Sequence, residues 1–260
     1  MQTLSLTCFG VGDGMPCGDR NHSAYLYRLG DTALLVDCGD PVSRSYKASG
    51  LSYELIDRIF ISHLHSDHVG GFFMLLQSFW LEQRRKVLPV HLPAEGIEPL
   101  RRMVQAAYLF DEILPFQLRF EPLQALRPAT HGPVRVTPYL NSHLEGFRQT
   151  CQSRHPGDYA AYSFLIERDG FRAVHTADLG GVSDLDPLLA APVDLLVCEL
   201  SHFKAEDLFA YLQGRPIKQA VFVHLGRAYW SELEELRNMA ARMLPQCRVS
   251  FPLDQETVPL

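Results

Sequence analysis

Residues 58–71 read RIFISHLHSDHVGG: an apolar run, then three histidines and an aspartate within six positions, then paired glycines. Ile59-Phe60-Ile61 has the length and composition of a buried strand, and the segment after Gly70-Gly71 carries a helical pattern. Alternation sends His63 and His65 to the same side, while Asp67 and His68 come from the turn beyond. A strand end opening into a helix is a rigid platform that holds ligands in place before an ion arrives. The geometry suits two ions, His63 and His65 facing one, Asp67 and His68 the other. Imidazole and carboxylate without thiolate point to zinc, with manganese or iron as alternatives. A solvated polar turn accounts for one histidine, not for four ligand-type side chains behind a buried strand.

Four ligands from one turn cannot close a hydrolytic site, so others are expected from distant strand ends. His143 follows VRVTPYL in the loop Asn141-Ser142-His143, Asp178 follows FRAVHTA, and His224 ends QAVFVH. A carboxylate at Asp178 can bridge two ions. The seven side chains together leave room for a bridging water.

Around this constellation the chain is ordinary. It has 260 residues, 47 % hydrophobic and 21 % charged, with a net charge of −6. That balance gives no basic footprint for nucleic acid. No apolar run approaches the roughly 20 residues of a membrane span. The start MQTLSLTCFG lacks the basic and apolar regions of a signal peptide, so a cytoplasmic protein with no membrane partner is expected. Six scattered cysteines without a CxxC pair read as reduced, with Cys38 and Cys198 in the core. Ser66 lacks the GxSxG surroundings of a serine nucleophile.

Strand patterns fall at 2–9, 23–29, 32–37, 58–62, 87–92, 116–121, 134–140, 161–167, 171–176, 194–199 and 219–224. Helical patterns fall at 70–86, 95–108, 204–213 and 229–243, the last with Ser231 as N-cap and Glu234 completing a capping box. Hairpins turn at Gly30-Asp31 and Asp169-Gly170. No linker divides the chain, so one domain over 1–260 is expected, with two sheets packed between outer helices.

These motifs resemble the metallo-β-lactamase-fold superfamily, and within it the tRNase Z-like group of zinc phosphodiesterases. CFGVGDGMPCGDRNHSAYLYRLGDTALLVDCGD resembles the group's glycine-rich opening and Asp-Cys-Gly hairpin end. IFISHLHSDHVGGF resembles its signature, HTAD its bridging-aspartate motif and VFVHLGRAY its final-histidine motif. The resemblance covers nearly the whole chain and implies an α/β fold, the four-layer αββα sandwich, with a dinuclear zinc site. One zinc would take His63, His65 and His143, the other Asp67, His68 and His224, with Asp178 shared. It further implies that Asp37 steadies the histidine loop and that Glu199 leads a motif carrying a catalytic His202.

The expected chemistry is metal-assisted hydrolysis, with a metal-bridging hydroxide as nucleophile, Asp67 relaying a proton and His202 as acid. A phosphodiester substrate is favoured by the resemblance. Residues 144–177 leave little room for the long arm with which tRNase Z-like enzymes hold tRNA, and RNA as a partner gains nothing from the net charge. The alternative is a small-molecule hydrolase acting on a cyclic phosphodiester, thioester, lactone or sulfate ester. A diiron redox or binding protein stands further off, because histidine is kept at all five histidine positions. The apolar helix GGFFMLLQSFWLEQ suits the core first and a homodimer contact second.

Overall fold

The computed structural model describes residues 4–260, so residues 2 and 3 of the first expected strand lie outside the described residues. The strands in chain order are β1 (Leu4–Gly10), β2 (Ala24–Leu29), β3 (Thr32–Val36), β4 (Arg58–Phe60), β5 (Leu88–Leu92), β6 (Leu118–Pro122) and β7 (Ala129–His131). They continue with β8 (Val134–Asn141), β9 (Ala161–Arg168), β10 (Phe171–His175), β11 (Val193–Leu200), β12 (Ile217–Leu225), β13 (Arg248–Ser250) and β14 (Glu256–Pro259). The helices are α1 (Val42–Ala48), α2 (Ser66–Val69), α3 (Phe72–Leu81), α4 (Ala94–Ala106), α5 (Glu145–Cys151), α6 (Ala205–Leu212), α7 (Arg227–Ser231) and α8 (Leu233–Met243), with a 3₁₀ turn at Val182–Leu185.

The chain forms two compact units, residues 4–124 with Leu253–Pro259, and Ala125–Pro252. The first holds a seven-stranded sheet in the order β14-β1-β2-β3-β4-β5-β6. Its β14, β1, β2 and β3 pair antiparallel, and β3 to β6 pair parallel. The second repeats the plan as β13-β12-β11-β10-β9-β8-β7, antiparallel from β7 to β10 and parallel from β10 to β13.

Each sheet packs helices by a recognisable stripe. Helix α3 buries Phe72, Leu75, Leu76 and Phe79, and α6 buries Ala205, Leu208, Phe209 and Leu212, both at i, i+3, i+4, i+7 spacing. Each large apolar side chain so buried contributes roughly 1.5–3 kcal/mol. The hairpin turns are as expected, with positive φ at Gly30, Asp169 and Gly170.

Three expectations need correction. Helix α3 ends at Leu81, not near 86, because Gln83 turns left-handed and the following Arg84 points inward. Its guanidinium, fully buried, donates to the carbonyls of Tyr53, Ile56, Lys86 and Val87 and lies over Phe79. The helix expected from 229 is two pieces: Ser231 ends α7 and donates to the Ala228 carbonyl, so it caps nothing in α8. Short elements β7, β13, β14, α1 and α5 lie where no element was expected.

Candidate functional site

In the first unit the donors gather past the C-terminal ends of two adjacent parallel strands, β3 and β4, where open α/β sheets place their ligands. Asp37 follows β3 and is completely buried, with a left-handed φ of 60°. Its Oδ1 accepts from the Ser62 amide at 2.7 Å, and its Oδ2 from the Ser62 hydroxyl at 2.9 Å. Oδ2 also meets His68 Nδ1 at 2.7 Å. His68 is therefore the Nδ1–H tautomer, which leaves the lone pair on Nε2. Because the Ser62 hydroxyl gives its proton to Asp37, it accepts from His63 Nδ1 at 3.0 Å, and His63 takes the same tautomer. Both rings are buried and lie 4.1 Å apart, and His65 lies 4.7 Å from His63. Asp67 Oδ2 is 3.3 Å from His68 Nε2. A side chain at Gly39 would strike the Asp67 carbonyl at 2.2 Å, so only glycine lets the hairpin end pass this close to the histidine turn.

In the second unit β8, β10, β11 and β12 all end at one edge of the sheet, and each end carries a donor. Asp178 sits between two imidazoles, its Oδ2 3.7 Å from His143 Nε2 and 3.4 Å from His224 Nε2. The backbone is strained on both sides of this cluster, with φ of 48° at Ala177 and 49° at His224. His224 is the extra residue of a β-bulge: Glu199 pairs with Val223 and Leu200 with Leu225, which re-aims the side chain between them.

Glu199 is buried and accepts from the amides of Leu179 (2.9 Å), Ser201 (2.8 Å) and His202 (3.1 Å). Its Oε1 also meets His202 Nδ1 at 2.9 Å, which puts proton exchange on Nε2. The half-exposed His202 ring stands 4.9 Å from His143 and is stacked 6.1 Å from His224. The network behind these side chains was not legible in advance: Ser62 in the first unit, Asn141 and Asp184 in the second. Ser62 directly precedes His63, and Asn141 two residues before His143 is the only local cue to its partner.

The donors fit a divalent cation on their chemistry. The first unit presents imidazoles whose Nδ1 atoms are committed elsewhere, the second a buried carboxylate flanked by rings, and no thiolate competes. Burial, and then Asp37, raises the Cys38 thiol; burial, and then Glu199, raises Cys198. Both cysteines are core residues.

Comparison with solved structures gives the class. The fold matches the metallo-β-lactamase fold protein YhfI from Bacillus subtilis with a TM-score of 0.78, at 20% identity over 99% of this chain and 100% of that one. It matches the short form of human tRNase Z with a TM-score of 0.73, at 18% identity over 98% of both chains. The fold is thus the metallo-β-lactamase α/β type expected from the sequence.

The family model described as Anti-Pycsar protein Apyc1 matches residues 4–179. A ribonuclease Z of Bradyrhizobium sp. (strain ORS 278) is 35% identical over 98% of this chain and the whole of the relative. The chain belongs to the Apyc1 family of that model and, with this relative, to the ribonuclease Z family. It is a metal-dependent hydrolase of the ribonuclease Z-like group, within the metal-dependent phosphodiesterases.

Proposed function

We propose that the protein is a dinuclear-zinc phosphodiesterase whose two units act together as one catalytic domain in the cytoplasm. His63, His65, His143 and Asp178 would hold one ion, and Asp67, His68, Asp178 and His224 the other. The observation that carries this reading is Asp178, a buried carboxylate with an imidazole on either side of the same oxygen. When bound, two divalent ions acidify a water and neutralise charge on the phosphate oxygens. The chain's own groups do the rest. Asp67, mostly shielded and beside His68, takes up the proton released as water attacks phosphorus. His202 returns a proton from Nε2 to the leaving oxygen, and Glu199 holds its ring and balances the charge while it is protonated.

A small phosphodiester is favoured over a tRNA precursor by one observation. Residues 144–177 are taken up by the seven-residue α5 and the β9–β10 hairpin, which leaves no extended arm. The alignment with the Bradyrhizobium relative runs over 303 positions, so that relative carries insertions this 260-residue chain lacks. The test compares bis-p-nitrophenyl phosphate, a small cyclic phosphodiester, p-nitrophenyl acetate, a thioester and a tRNA precursor, with and without chelator. Chelator-sensitive cleavage of the phosphodiesters is expected. Turnover confined to the acetate and the thioester would overturn it.

A further inference from the structure

The loops that carry His143 and Asp178 meet on a residue that belongs to neither. Asp184 Oδ2 accepts from the Ser142 amide at 3.2 Å, the Ser142 hydroxyl at 2.9 Å, the Gly180 amide at 3.0 Å and the Gly181 amide at 3.2 Å. Four donors from three residues converge on a single carboxylate oxygen, an arrangement in which ionised acceptors give the stronger bonds. Asp184 itself is placed by its neighbours, because Leu185 and Leu188 are fully buried in the core of the second unit. The two loops touch so closely that a side chain at Gly180 would stand 2.4 Å from the Ser142 carbonyl. Asn141 adds a second stitch, donating to the Asp178 carbonyl at 3.0 Å and accepting from the His143 amide at 3.1 Å.

We propose that Asp184 is a positioning residue that fixes His143 against Asp178 and thereby sets this unit's affinity for a divalent ion. The proposal rests on the metal-site reading given above. Asp184 holds Ser142, one residue from His143, and Gly180, two residues from Asp178, so it acts on the ion only through the geometry of the ligands. Without it, the amides of Ser142, Gly180 and Gly181 turn to water, and the two loops relax independently. The 3.7 Å separation of His143 Nε2 from Asp178 Oδ2 then keeps the Asn141 stitch and loses the one through Asp184.

The experiment titrates zinc into the metal-free parent, Asp184→Ala and Asp184→Asn against a chromophoric chelator, and melts the same samples without metal. Asp184→Ala is expected to lose about 10- to 100-fold in zinc affinity. Its metal-free form should still melt in one cooperative transition, at a temperature somewhat below the parent's, so that the loss of zinc affinity is not a loss of fold. Asp184→Asn, which keeps an oxygen acceptor but sets an amide among the donors, should fall between. The visible absorption of the cobalt form should also shift in Asp184→Ala as the ligand geometry loosens. Parental zinc affinity in a folded Asp184→Ala overturns the proposal. Should that variant fail to fold, Ser142→Ala decides: removal of one hydroxyl is expected to weaken zinc about 2- to 12-fold, and unchanged affinity overturns the proposal. A parent that binds no zinc sinks the metal-site reading and this proposal with it. A zinc-binding parent with an indifferent Asp184→Ala sinks this proposal alone.

Discussion

Asp37 shows how much one carboxylate does without being a ligand. It orients His68 directly and His63 through Ser62, so two rings depend on it. Asp37→Ala should weaken divalent-ion binding about 10- to 100-fold, measured by chelator competition. It should also lower stability by about 1–3 kcal/mol in urea titration, since the Ser62 amide is left buried and unmet. His202 occupies the opposite role, near the reacting groups and outside the proposed ligand set. His202→Ala should keep its metal content yet lose about 10²- to 10⁴-fold in kcat on a substrate with a poor leaving group. The loss should be much smaller on a p-nitrophenyl ester, whose leaving group needs no acid. Equal losses on both substrates would remove His202 from that role. The ligands were legible because histidine and aspartate at strand ends carry their chemistry in the letter code. The bulge that aims His224 and the contacts of Asp184 were not, because both depend on pairing with residues far away in the chain.

At the scale of an element, the last three strands of the first sheet, β4, β5 and the edge strand β6, enclose a basic group. His91 on β5 is buried, stacked on Phe60 of β4, and meets Arg58 at 3.0 Å through Nε2. Glu121 of β6 lies 3.5 Å from its Nδ1. Burial first, and then the Arg58 charge, push the His91 pKa from 6.5 down to about 4. Above pH 6.5 the ring is neutral in both folded and unfolded chains and has no effect. Between 6.5 and 4 the unfolded chain binds a proton that the folded one refuses, so stability falls with pH, by about 3 kcal/mol in all. Denaturant titrations at pH 7 and pH 4.5 should therefore show a smaller drop for His91→Gln than for the parent, and equal drops would refute the assignment. Element boundaries were readable where apolar spacing was long. The helix α5 buries no residue, and β13 (Arg-Val-Ser) offers a single apolar side chain, so neither leaves a pattern. The end of α3 was misplaced because an arginine that looks solvated turns inward and bonds four carbonyls instead.

For the whole molecule, each unit carries its own core, so bound metal would complete a site and would not create the fold. Metal removal should abolish hydrolysis while leaving the far-ultraviolet circular dichroism unchanged. The melting temperature should drop by about 5–11 °C if zinc is present at roughly a hundredfold its dissociation constant. Loss of secondary structure on chelation would contradict this. The two sheets share one plan, three antiparallel pairings and then three parallel ones, yet no internal repeat is visible in the letters. Strand pairing constrains burial and length, not residue identity. The C-terminal β14 completes the first sheet by pairing with β1, and Asp254 just before it holds the amides of Val11 and Asn21. During synthesis, then, the second unit emerges entire while the first still shows a bare margin along β1. Until residues 254–259 arrive to hem that margin, the nascent chain offers neighbouring chains on a polysome an open seam.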